Sequence, residues 1–176
     1  MGDGGTQAAF NYQFAIDTKS RAIVGVDVSN HGVDTQQLIP MREQVEKRTG
    51  LKVKEHLADG GFLTENDVEV ADSEGVALYV PPKKRTKPEK YKDEFTPKPG
   101  ESAAISKWRI RMGSERGKKI YLERGATVET VNGDLKTHRG LKQLNVRGLK
   151  KALCVGLWNA LAYNVLHFTD QFMKMT

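Results

Sequence analysis

The chain has 176 residues, of which 38% are hydrophobic and 28% charged, with a formal net charge of +6. That length suits one domain with a core of its own, and no apolar run reaches the ~20 residues needed to cross a bilayer. The single cysteine, Cys154, excludes an internal disulfide and a cysteine-built zinc site. The start, Met1-Gly-Asp-Gly-Gly-Thr6, has neither the basic nor the apolar region of a signal peptide, so the expected location is cytoplasmic. Residues 1–75 hold 13 acidic and 7 basic side chains, whereas residues 76–176 hold 9 and 21. An acidic half joined to a basic half points to a carboxylate-bearing core beside a face for a polyanion, or else to a solvated basic surface with no partner.

In chain order, Phe10–Asp17 and Ala22–Ser29 alternate and are rich in aromatic or β-branched residues, which predicts two strands in an antiparallel hairpin. Asp34 or Thr35 then caps a helix to about Arg48, stopped by Gly50. Val53–Ala58 reads as a third strand that runs into Asp59. Thr64 is an N-cap opening a helix to about Ser73, followed by Gly75 and a short fourth strand, Val76–Val80. Pro81–Gly100 holds five of the six prolines and seven of the 28 Lys/Arg, and reads as an exposed loop. Helices are expected over 101–112, 114–137 and 149–173. The predicted organisation is thus an α/β part over 1–80, the Pro/Lys loop over 81–100 and a helical part over 101–176.

Asp59 follows an apolar strand and precedes Gly60-Gly61. A strand that ends in a carboxylate at the ligand-binding edge of an α/β layer suits a metal ion, although an Asp before Gly is also an ordinary turn starter. Glu129 lies in Thr-Val-Glu-Thr-Val, seven residues before Lys136, so the two share a helix face. A carboxylate between cations can hold a phosphodiester against a metal, or can be one rung of a surface ion-pair ladder. Two divalent ions about 4 Å apart require at least three carboxylates, and only Asp59 and Glu129 are well placed. The four histidines share no metal-ligand spacing. Trp108, among Lys107, Arg109 and Arg111, can pack in a core or stack on a base, and Cys154 is expected to be a buried thiol.

These stretches resemble the catalytic domain of insertion-sequence DDE transposases. The resemblance is carried by Asn11–Asp17, Ile23–Asn30, Leu57-Ala-Asp-Gly-Gly-Phe62, Gly75–Pro81, Tyr121–Lys136 and Val146-Arg-Gly-Leu149 with the helix reaching Asn164. It includes a Tyr–two–Arg–three–Glu–six–Lys signature, matched by Tyr121, Arg124, Glu129 and Lys136, except that four residues rather than three separate Arg124 from Glu129. The resemblance implies a ribonuclease H-like mixed sheet flanked by helices, with a helical C-terminal region. It implies Asp59 as the second Asp and Glu129 as the Glu of a metal-binding triad, served by Mg²⁺ or Mn²⁺, with two ions. Tyr121, Arg124 and Lys136 would contact DNA, both transposon ends and target, in a homodimer associated with the nucleoid. The first Asp of that triad belongs on a strand before Asn11–Asp17, so the expectation is a chain lacking that strand. The expectation is a transposase fragment, inactive alone, of a family that cleaves and transfers DNA strands with divalent metal; the alternatives are a DNA-binding remnant without catalysis, or a separate metal-dependent nuclease that uses Asp17 or Asp27 with Asp59 and Glu129.

Overall fold

The computed structural model describes residues 10–32, 34–82, 94–169 and 173. Residues 83–93, the greater part of the predicted Pro/Lys loop, and residues 170–172 of the predicted last helix lie outside the described residues. The chain divides into two compact units, one made of residues 1–32 with 131–176 and the other of residues 33–130.

In the first unit, β1 (Asn11–Ile16) and β2 (Ile23–Ser29) pair antiparallel, with a register shift between Ala15 and Ile16. This is the predicted hairpin. Its turn is fixed by Asp17, whose carboxylate accepts from the Ser20 N–H at 2.7 Å and the Ser20 hydroxyl at 2.6 Å. The last helix, α6 (Leu149–His167), buries Ala152, Gly156, Ala160 and Tyr163, spaced to lie on one face. Gly156 is required there. A Cβ at that position would lie 2.6 Å from Tyr12 Cε1 and 3.2 Å from Val26 Cγ1, so only a glycine lets the helix lie flush on the strands. Two polar anchors hold the contact. The Tyr12 hydroxyl donates to the Ala152 carbonyl at 2.5 Å. The Asn164 amide both accepts from the Ile23 N–H at 2.8 Å and donates to the Ile23 carbonyl at 2.9 Å. Ile23, Val26, Val131, Leu135, Ala160 and Tyr163 form the core. Cys154 lies on the other side of α6 and is exposed, which corrects the expectation of a buried thiol. It falls two residues past Ala152 and two before Gly156, off the buried stripe.

The second unit is built on a strand–helix–strand turn. β3 (Glu55–Leu57) and β4 (Ala77–Tyr79) pair parallel, joined through α2 (Glu65–Ser73). Thr64 caps α2 in a reciprocal box with Asp67, as its sequence predicts. Before β3 comes α1 (Leu38–Thr49), which ends at Gly50 with φ 69°. It starts later than expected, at Gln37 rather than Asp34 or Thr35, because Gln36 takes a positive φ of 68° and breaks the run. α3 (Ala103–Gly113) and α4 (Glu115–Arg124) are capped by Ser102 and Ser114. Leu38, Val68, Leu78, Val80, Ile105, Trp108 and Met112 belong to the core of this unit. Trp108 is therefore a packing residue, 4% exposed, with its indole N–H donating to the Val80 carbonyl at 3.0 Å.

Two further expectations change. Among the described residues the four strands pair as two separate two-stranded sheets, not as one mixed sheet, since β3 and β4 span three residues each and no described strand joins the pairs. The single helix predicted over 114–137 is interrupted. α4 opens into a π-turn over Gly125–Glu129, and α5 (Thr130–His138) resumes after it. None of the described helices is long and apolar enough to cross a membrane.

Candidate functional site

Asp59 stands two residues beyond the end of β3. The Ala58 N–H reaches the Tyr79 carbonyl at 3.4 Å, and the Phe62 N–H closes a turn on the Asp59 carbonyl at 3.0 Å. The turn passes so close to the chain leaving β4 that a Cβ on Gly60 would lie 2.8 Å from the Pro81 carbonyl oxygen. Gly60 thus lets the Asp59 loop sit against a strand end that Trp108 already fixes through Val80. The Asp59 side chain remains open, at 61% exposure.

Arg124, the last residue of α4, reaches this carboxylate. Its guanidinium lies 3.5 Å from Asp59 Oδ2 and 3.6 Å from Glu129 Oε1. These separations exceed hydrogen-bond length, so the contacts are loose ion pairs. With Asp59 and Glu129 at 61% and 70% exposure, each contributes no more than ~1 kcal/mol. The arrangement is therefore one of charge placement rather than of stability. One cation, itself 21% exposed, stands between two accessible carboxylates. Tyr121 lies one helical turn before Arg124 and packs against the core. Burial pushes its phenol above the usual value; the Arg124 guanidinium opposes that, and the Asp59 and Glu129 carboxylates add to it.

Four of the five residues singled out in the sequence, Asp59, Glu129, Tyr121 and Arg124, thus meet in the second unit. Lys136 belongs to the first unit. There it lines a cavity of about 170 Å³ with Asn11, Tyr12, Phe14 and Asn132 among others. Asp17, weighed as a further carboxylate, is engaged by Ser20 in its own turn, which holds its pKa below the usual value. Asp27 accepts from the Val28 N–H at 2.8 Å. Among the described residues there is no group of three or more His, Cys, Asp or Glu able to hold a metal ion.

Two features escaped the sequence reading. Thr127 is buried beneath the site, and its hydroxyl donates to the Glu123 carbonyl at 2.9 Å and the Arg124 carbonyl at 3.2 Å. Its signal was the extra residue between Arg124 and Glu129. Behind β3, the buried Arg42 pairs with Glu74, and His56 has its Nδ1 shut from solvent with no partner. An alternating strand gives no sign of such a histidine.

The sequence model of the transposase DDE domain family matches residues 2–165 of the chain. No curated protein and no solved structure matches it.

Proposed function

The chain belongs to the transposase DDE domain family, and from that premise we propose that it carries two of the three carboxylates of a ribonuclease H-like strand-transfer centre. Asp59 is the second Asp and Glu129 the Glu. The observation that supports this best is the Arg124 guanidinium lying 3.5 Å from one carboxylate and 3.6 Å from the other, which draws residues 70 positions apart in the chain to one point. The donor type suits Mg²⁺ or Mn²⁺, which prefer oxygen ligands. The donor number does not complete a two-ion centre, because no third ligand joins the pair among the described residues.

In a completed centre Asp59 and Glu129 would help to hold divalent ions, which would supply activation of water, and then of a DNA 3′-hydroxyl, for attack on phosphodiesters. The residues of this chain do the positioning. Arg124 can turn its planar fork from carboxylate to phosphate, a bidentate geometry that a lysine cannot reproduce. Tyr121, held at the base of the site, offers a hydroxyl to the same backbone. Lys136 neutralises a DNA phosphate at its own cavity.

A second reading, a DNA-binding protein without cleavage activity, is favoured by the basic balance of residues 76–176, which hold 21 Lys/Arg against 9 Asp/Glu. Nicking of supercoiled plasmid in Mg²⁺ or Mn²⁺, run beside Asp59→Asn, separates the two. Cleavage that disappears in the variant supports the strand-transfer reading. Salt-dependent DNA binding with no cleavage supports the second. DNA binding and cleavage both unchanged in Asp59→Asn and Glu129→Gln would refute the role of these carboxylates.

A further inference from the structure

Glu129 is five residues after Arg124, and in an α-helix that spacing rotates the two side chains roughly 140° apart. They could not then share a contact. Val128 would take the place beside Arg124, and Glu129 would point away from Asp59. The observed 3.6 Å contact exists because the helix widens into a π-turn over Gly125–Glu129, where residues five apart stack one above the other. We propose that this π-turn is a positioning element of the carboxylate site, and that Thr127 is the residue that holds it. The inference rests on the role assigned above to Asp59 and Glu129.

Widening a helix displaces carbonyls from their usual i+4 partners, and buried carbonyls must find others. Thr127 is 5% exposed and sits at the middle of the turn. Its hydroxyl proton is shared between the Glu123 and Arg124 carbonyls, and the Thr130 hydroxyl donates to the Ala126 carbonyl at 3.1 Å, so side-chain donors serve three carbonyls around the turn. Gly125, at the start of the turn, has the weakest α-helical preference of any residue except proline. A Cβ there would touch the Glu129 carboxyl only at 3.9 Å, so its contribution is pliancy rather than clearance. The turn thus absorbs one residue and returns Glu129 to the face of Arg124, which makes Gly125 and Thr127 positioning residues for the carboxylate.

The test uses the full chain, isotope-labelled, and NMR. Through-hydrogen-bond couplings show whether N–H groups pair four or five residues back, and cross-peaks between Arg124 and Glu129 side chains report their contact. The wild-type chain and Thr127→Ser are expected to keep five-residue pairing and the cross-peaks. Thr127→Val, which keeps shape and loses the hydroxyl, is expected to lose both. Deleting Ala126, which is exposed, should convert the turn to four-residue pairing and retain the contact, and in that background Thr127→Val should have no effect. Four-residue pairing in the wild-type chain, a Thr127→Val chain that keeps its cross-peaks, or a deletion that abolishes them would each overturn the inference. Mn²⁺ broadening of Asp59 and Glu129 resonances, read in the same samples, addresses the metal role separately. Five-residue pairing without such broadening upholds the positioning role and counts against the metal reading alone.

Discussion

His56 makes the stability of the second unit depend on pH. Its Nδ1 is buried without a partner, although the residue as a whole is only partly covered. Burial, reinforced by the nearby positive charge of Arg42 and only partly offset by Asp67, lowers its pKa from 6.5 to about 4. Arg42 does not leave to relieve this, because it is 3% exposed and paired with Glu74. Asp67 is equally fixed, accepting from the Thr64 N–H at 2.8 Å and the Thr64 hydroxyl at 2.6 Å. Between the two pKa values the unfolded chain binds a proton that the folded chain excludes. Stability is therefore full above about pH 6.5, falls as pH drops toward 4, and is flat in this respect below that. At 1.36 kcal/mol per unit, the difference between 6.5 and about 4 amounts to about 3 kcal/mol. Urea unfolding across that pH range measures it. Trp108, in the core of the same unit, serves as the fluorescent probe once the other tryptophan, Trp158, is changed to Phe. The comparison is with His56→Leu in that background, since carboxylates that titrate near pH 4 contribute equally to both chains. The leucine chain should lose the His56 share of the slope and match or exceed the parent at neutral pH, where an unpartnered buried nitrogen has been removed. Parallel stability curves for the two chains over this range would refute the assignment.

Three further outcomes follow from the packing and the site. Gly156→Ala places a methyl 2.6 Å from a Tyr12 ring that its own hydroxyl tethers to Ala152, so the first unit should lose ~1–3 kcal/mol in denaturant unfolding. Thr64→Ala removes the cap of α2 and should cost ~1 kcal/mol, seen as faster amide exchange in the first turn of that helix. Lys136→Gln should weaken duplex binding about equally for all sequences and reduce the salt slope of log K by about 1, whereas an unchanged slope would remove Lys136 from the DNA contact.

What was legible in the sequence was local. Alternation placed the β1–β2 hairpin within a residue or two at each end, Thr64 announced its capping box, and Gly50 ended α1 because a left-handed residue was needed there. Asp59 and Glu129 stood out as carboxylates beside apolar stretches, and the resemblance to the transposase family supplied Tyr121 and Arg124. Tertiary facts were not legible. The strands β3 and β4 are too short for their patterns to say which partners they take. Cys154 sits in an almost wholly apolar run, where hydrophobicity alone cannot say which side of α6 meets the sheet; the small residues Ala152, Gly156 and Ala160 decide it. The π-turn left one trace, a spacing of four where three was expected, and a spacing does not say whether the helix widens or the residue turns away.

The contact between Asn164 and Ile23 has a consequence beyond holding α6 in place. Strand edges invite foreign strands because their N–H and C=O groups are available in register. At Ile23 both groups are already taken by one side-chain amide, at 2.8 and 2.9 Å, as a neighbouring peptide unit would take them. Asn164 works as a one-residue plug in the ladder. A second chain that tried to zip along β2 would meet a rung with no vacancy and would have to lift the helix away to use it. Asn164→Ala is therefore a mutation of solubility as much as of stability: the cost of the two lost hydrogen bonds, ~1–3 kcal/mol, would be accompanied by an opened edge, read as concentration-dependent association by light scattering.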